Sequence, residues 1–180
     1  MSLFNLFDSL RSRAPQTQSP AETATVRKIV DALDRLDPAT ARRLAAFAYI
    51  LSRVARADLE VTDEETRAME TIVARLGRLP EDQAIVVVHM AKHQNLLFGA
   101  TEDFLVTREY SEITTREEKL ALLDCLFEVA AAGSLVSVTE DNEVRRITQE
   151  LGLSHEEFIA ARSRYRDRLA VLRSNPSANS

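Results

Sequence analysis

The 180-residue sequence predicts an all-α fold: a single-domain helical bundle of about seven helices built around two repeated helical hairpins. The first observation behind this is an internal repeat at a constant offset of 75 residues. Val54, Ala55, Ala57, Val61, Thr62 and Glu65 align with Val129, Ala130, Ala132, Val136, Ser137 and Glu140. Further along, Ile72 and Leu76-Gly77 align with Ile147 and Leu151-Gly152. The second observation is composition. Four glycines, no tryptophan and an abundance of Ala, Leu, Arg and Glu describe a helical chain. The third is a series of helix start signals. Thr62 to Glu65, Thr115 to Glu118, Ser137 to Glu140 and Ser154 to Glu157 each fit the S/T-x-x-E capping box.

The elements follow in order. Residues 1–21 hold a short amphipathic stretch with Leu3, Phe4, Leu6, Phe7 and Leu10, then a linker containing Pro15 and Pro20. Residues 22–172 form the helical domain, with helices predicted over 22–35, 38–57, 63–77, 81–97, 115–132, 138–152 and 155–172. Asp37-Pro38 pairs an N-cap with a first-turn proline. Apolar periodicity places Ala41, Leu44, Ala45, Ala48, Leu51, Ser52 and Ala55 on one face of the second helix. The fifth helix presents Leu120, Leu123, Phe127 and Ala130 in the same way. Gly77, Gly99 and Gly152 are helix stops. Residues 99–114 lack a long period and read as a short helix or an ordered loop. Residues 173–180 are a polar tail, expected to be disordered.

Charge narrows the function classes. Residues 31–144 carry 12 basic and 22 acidic side chains, while both ends are mildly basic. An acidic centre argues against general nucleic-acid binding and is permissive for cations. The basic side chains Arg162, Arg164, Arg166, Arg168 and Arg173 spread around the last helix without the aromatic-stacking pattern of a nucleic-acid site. They are expected to pair with the acidic centre. The lone Cys125 sits in an apolar run and reads as a small buried hydrophobe. His89 and His93 share a helix face, but Met90 stands where a zinc protease motif needs glutamate. No phosphate-cradling glycine loop or catalytic triad pattern is present, so an enzyme is not expected.

The chemistry-bearing feature is the acidic turn. Asp58, Glu60, Asp63, Glu64 and Glu65 cluster at a loop–helix junction and offer oxygen ligands to a hard cation such as Ca²⁺, Mg²⁺ or Mn²⁺. It is not an EF-hand, because Asp63 and Met69 occupy the positions that need glycine and glutamate. If the two turns converge across the repeat axis, Asp58, Glu65, Glu140 and Glu143 form one metal site. Helix capping by itself accounts for Glu65 and Glu140, the positive helix N-terminus suits Asp63 and Glu64, and Asp58 is the residue these roles explain least.

The repeat, the caps and the order of Arg108-Glu-Tyr, Glu117 to Ala132, Val138 to Ile147, Leu153 to Phe158 and Arg164 to Leu169 together resemble the TerB family of tellurite-resistance-associated proteins. The resemblance covers roughly residues 22–172. It implies an all-helical bundle, no established enzymatic reaction, and an acidic metal-binding turn of the form Ala-Asp-Gly-x-Val/Ile-Ser/Thr-x-x-Glu. The first turn keeps Asp58, Thr62 and Glu65 but has Leu59 where glycine is usual. The second has Gly133 and Ser134 in place of the aspartate and glycine.

The expected function is thus a non-enzymatic binding module, divalent-metal-responsive, in tellurite, metal or stress resistance. The alternative is a ligand-free helical adaptor tethered through residues 3–10 to a membrane surface or a protein partner. No nucleic-acid partner is expected. The sequence shows neither a secretory signal pattern nor a spanning apolar run. It reads as a bacterial cytoplasmic protein, peripheral to the inner membrane if the tether is used.

Overall fold

The computed structural model describes residues 20–55, 63–93, 103–133 and 135–169. Those residues form α1 (Pro20–Asp34), α2 (Pro38–Ala55), α3 (Asp63–Leu76), α4 (Glu81–Lys92), α5 (Asp103–Ile113), α6 (Arg116–Gly133), α7 (Val138–Glu150) and α8 (His155–Ser163). A single 3₁₀ turn, Arg166–Arg168, follows α8. The only β-type pairing among the described residues is an isolated parallel bridge between Val136 and Leu169.

The caps form where the sequence places them. Asp37 Oδ1 accepts from Thr40 N at 2.9 Å and starts α2. Reciprocal capping boxes start α6 at Thr115/Glu118, α7 at Ser137/Glu140 and α8 at Ser154/Glu157. Each satisfies two backbone donors that a helix leaves open. Thr62 lies outside the described residues, as do residues 1–19, Gly99 and the tail.

Three elements differ from the expectation. The helix predicted over 81–97 ends at Lys92, with His93 as its C-cap. The segment over 99–114 holds a full helix, α5, because Val106, Thr107 and Tyr110 are buried at helical spacing against its neighbours. The last helix stops at Ser163 instead of continuing to 172. There the chain turns so that Val136 N donates to Arg168 O at 2.8 Å and Arg168 Nη1 donates to Ala131 O at 2.7 Å. The open carbonyl end of α6 thus gains a cationic donor.

The core is centred on α2. From Leu44 to Leu51 eight consecutive residues are at most 2% exposed. One apolar face was expected, but the whole circumference is buried, as for a helix apolar all round. Its repeat equivalent α6 supplies Leu122, Leu123, Cys125, Leu126 and Phe127, all fully buried. Phe127 packs on Phe158 with ring centroids 5.8 Å apart and stacks on Tyr165 at 5.6 Å.

The repeat extends to a third helix and interlocks. At the 75-residue offset α2, α3 and α4 correspond to α6, α7 and α8. Across the copies α3 packs on α6 and α2 packs on α7, while α4 and α8 cover α2 and α6 within their own copies. The equivalent positions Thr66 and Asp141 are both buried. Each receives a cation from the third helix of its own copy: Lys92 Nζ at 2.7 Å from Thr66 Oγ1, and Arg162 bidentate at 2.8 and 2.9 Å to Asp141.

The equivalent glycines do different work. Gly152 adopts φ 71° and closes α7, with Leu153 N donating to Thr148 O at 3.1 Å. In the first copy the positive φ falls one residue later, at Arg78, and Gly77 N still donates to Val73 O at 2.9 Å. A Cβ on Gly77 would lie 2.5 Å from the Val73 carbonyl oxygen and 3.0 Å from the Phe47 ring, so close packing against backbone and ring selects this glycine.

Gly152→Ala should therefore cost about 1 kcal/mol from the left-handed backbone alone. Gly77→Ala should cost more, about 2–3 kcal/mol, through overpacking against the Val73 carbonyl and the Phe47 ring. Urea unfolding midpoints of the two variants check this, and equal losses would contradict the assignment.

Candidate functional site

The most concentrated charge chemistry in the described structure surrounds Arg53, in the last turn of α2. Its side chain is 0% exposed. A guanidinium cannot shed its proton, so burial demands acceptors on every side. Arg53 Nη1 lies 2.6 Å from Glu150 Oε2 and donates to Thr107 Oγ1 at 2.6 Å. Its Nε and Nη2 face Glu143 Oε1 at 2.8 and 2.7 Å. Burial pushes against the charge, but Glu150 and Glu143 outweigh it and hold the Arg53 pKa above its ordinary value.

The surrounding elements complete the cluster. Asp103 opens α5, accepts from the Tyr49 hydroxyl at 2.7 Å and approaches Arg53 Nε at 3.9 Å. The more exposed Arg146 of α7 lies 2.9 Å from Glu143 and 3.6 Å from Asp103. Three carboxylates thus face two guanidinium groups, which fixes α2, α5 and α7 relative to one another. Two turns of α7 place Glu143, Arg146 and Glu150 on one face, since their spacing is i, i+3 and i+7.

The expected metal ligands fall in three places. Asp58 and Glu60 lie outside the described residues. Glu65 belongs to the first turn of α3. Glu140 spends its carboxylate on its own helix, accepting from Ser137 N at 2.8 Å. Glu143 pairs with Arg53 and Arg146, a partnership that sequence reading did not foresee. Among the described residues no group of three or more His, Cys, Asp or Glu side chains is arranged to hold a metal ion. The missed residues are Arg53, Asp103, Thr107 and Glu150. One signal was available: Arg53 is the only charged residue in the apolar run from Leu44 to Ala55.

The remaining candidates have ordinary partners. His89 Nε2 stands 3.8 Å from Glu70, and His93 caps the end of α4. The Cys125 thiol is buried, and burial pushes its pKa up to about 12. Two arginines of the C-terminal segment pair with carboxylates, Arg162 with Asp141 and Arg164 with Asp124 at 2.6 Å, and Arg168 meets the Ala131 carbonyl, while Arg173 lies outside the described residues. Arg145 lies over the Phe158 ring at 5.3 Å.

Compared with known proteins, residues 43–163 match the family described as Tellurite resistance protein TerB. The match runs from the first turns of α2 to the end of α8. It spans both repeat copies and every member of the Arg53 cluster. No curated protein and no solved structure gives a significant match.

Arg53→Met should cost about 3–5 kcal/mol, because it leaves the largely buried Glu150 and Glu143 with only the more exposed Arg146 opposite them. Arg53→Lys should cost less, since it keeps the charge without the fork. Denaturant titration of both variants decides this, and a loss below 1 kcal/mol for Arg53→Met would contradict the buried cluster. Cys125 should resist thiol reagents at neutral pH in the native chain and react only on unfolding. Rapid labelling under native conditions would overturn that assignment.

Proposed function

The chain belongs to the Tellurite resistance protein TerB family, and from that premise we propose that it is a non-enzymatic binding module acting in tellurite, metal or stress resistance. In this reading the first acidic turn takes a divalent cation, Ca²⁺, Mg²⁺ or Mn²⁺. The observation that carries it is the position of the Arg53 cluster. Arg53 occupies the last turn of α2, directly before residues 56–62, and its partners lie on α5 and α7. Charge neutralised at that turn acts on a helix end already locked electrostatically to two other helices. Cation binding then biases the packing of α2 against α5 and α7 and alters the surface offered to a protein partner.

The donors for the cation in this reading are Asp58 and Glu65, with Glu140 and Glu143 joining only if they leave the partners they hold. Glu140 would give up a helix cap and Glu143 an arginine. The first turn therefore carries most of the affinity. The non-enzymatic part is supported by Cys125, whose buried thiol is held protonated.

A second reading is the ligand-free adaptor that uses residues 3–10 as a tether to a partner or membrane surface. The observation in its favour is that Glu140 and Glu143 are already engaged, with Gly133 in place of the aspartate the family resemblance implies. No helix among the described residues is long and apolar enough to cross a membrane. Contact with a membrane in this reading is peripheral, from the cytoplasmic side.

Calorimetric titration of Ca²⁺, Mg²⁺, Mn²⁺ and Zn²⁺ into the metal-stripped chain should give saturable binding of a hard cation. Asp58→Asn should weaken it at least about tenfold, and Glu140→Gln should weaken it far less. Absence of binding, or binding indifferent to Asp58→Asn, would leave the adaptor reading standing.

A further inference from the structure

Ten residues before Arg53, roughly 15 Å along α2, a cavity of about 350 Å³ opens between α2, the α3–α4 turn, α5 and the start of α6. Leu44, Phe47, Leu79 and Ala121 give it an apolar floor. Two ion pairs border it, Arg43 with Glu118 and Arg78 with Glu117, the latter at 3.5 Å between well-exposed side chains. Arg43 Nε is buried and finds no acceptor among the described residues. The volume suits a few large apolar side chains rather than a whole helix.

We propose that this cavity is the dock for the chain's own residues 3–10, with Phe4 and Phe7 as anchors. Three observations carry this. The first is chemistry. The segment offers Leu3, Phe4, Leu6, Phe7 and Leu10, whose exposure to water is unfavourable. Each phenylalanine has about 150–250 Å² to bury. The second is charge. Asp8 lies within the apolar run beside Phe7 and Arg11 directly follows it, one charge of each sign to face Arg78 and Glu117 at the cavity mouth.

The third is reach. The stretch between Leu10 and Pro20 spans up to about 30 Å when extended. The α1 helix, 15 residues long, measures roughly 22 Å. The tether is therefore long enough to bring residues 3–10 to either end of α1. That helix packs on α2 and α4. The wall of the cavity comes from α2 and from Pro80, the residue that precedes α4. Docked there, residues 3–10 are withheld from a membrane or a partner until something displaces them. The family match begins at residue 43, so the segment lies outside the matched region.

The test uses the full ¹⁵N-labelled chain with a nitroxide at Ser9→Cys, because Cys125 is buried. The expected result is line broadening strongest at the amides of Gly77, Leu79 and Ala121, weak at Asn142 and Ala132, and unchanged on dilution. Phe4→Asp with Phe7→Asp should abolish that pattern while the helical content stays the same. Arg78→Glu should weaken it, and adding Asp8→Arg should restore it, which a purely structural effect of either variant would not do. Broadening centred elsewhere overturns the proposal. So does broadening of ¹⁵N chains only when they are mixed with labelled unenriched chains, which indicates a second copy. A label that becomes immobilised only on adding anionic phospholipid vesicles also overturns it and assigns the segment to membranes.

Discussion

A charge that cannot be discharged sits near the middle of this fold. Arg53 keeps its proton at any ordinary pH, and its side chain has no access to solvent. The chain must therefore bring Glu143, Glu150 and Thr107 to it, each from a helix distant in sequence. That single requirement sets the relative positions of α2, α5 and α7. It also explains why Glu150 and Glu143 occupy one face of α7 together with Arg146. A hydrophobic residue at position 53 would pack without these demands and would not define which carboxylates must converge.

The same requirement illuminates the repeat. Position 53 corresponds to 128 and position 150 to 75. In one half Arg53 of α2 meets Glu150 of α7; in the other Glu128 of α6 faces Arg75 of α3 at 3.7 Å. The pair survives with its charges exchanged. Each central helix thus pairs with the second helix of the opposite copy, and only one of the two pairs is buried deeply. Arg53 of the buried pair directly precedes the first acidic turn in sequence, and the solvated pair is its counterpart across the repeat. Two copies of one pattern have diverged into a rigid polar anchor and an ordinary surface contact, whose attraction is small in water.

The pKa pattern fits this division. Glu118 loses some charge stability to burial, but hydrogen bonds from Thr115 and the neighbouring Arg43 hold its pKa below the ordinary value. A depressed carboxylate adds stability above its unfolded pKa and loses it as pH falls through the folded one. Asp37, an exposed N-cap, is lowered chiefly by the Thr40 side-chain hydrogen bond. Acid sensitivity therefore concentrates at helix starts. At the Arg53 cluster the permanently charged guanidinium is the group whose partners must be present at all pH values.

Helix identity was legible in the sequence because its causes are local. A capping box needs residues three apart, and a helix face needs a period of 3.6; both are written along the chain. The starts of α6, α7 and α8 follow from Thr115, Ser137 and Ser154 for that reason. The end of the last helix was not legible, because Leu169 leaves it to pair with Val136, a contact between distant residues. The partners of Glu143 were hidden for the same reason: from sequence it is one carboxylate in an acidic region, and only packing brings Arg53 to it. The sequence by itself determined an all-helical, twice-repeated chain with capped helices, through interactions a few residues apart. The tertiary structure decided which helix of one copy packs on the other, which glycine bends the chain, and which carboxylates neutralise Arg53. Those outcomes depend on burial, and burial is a property of the assembled bundle.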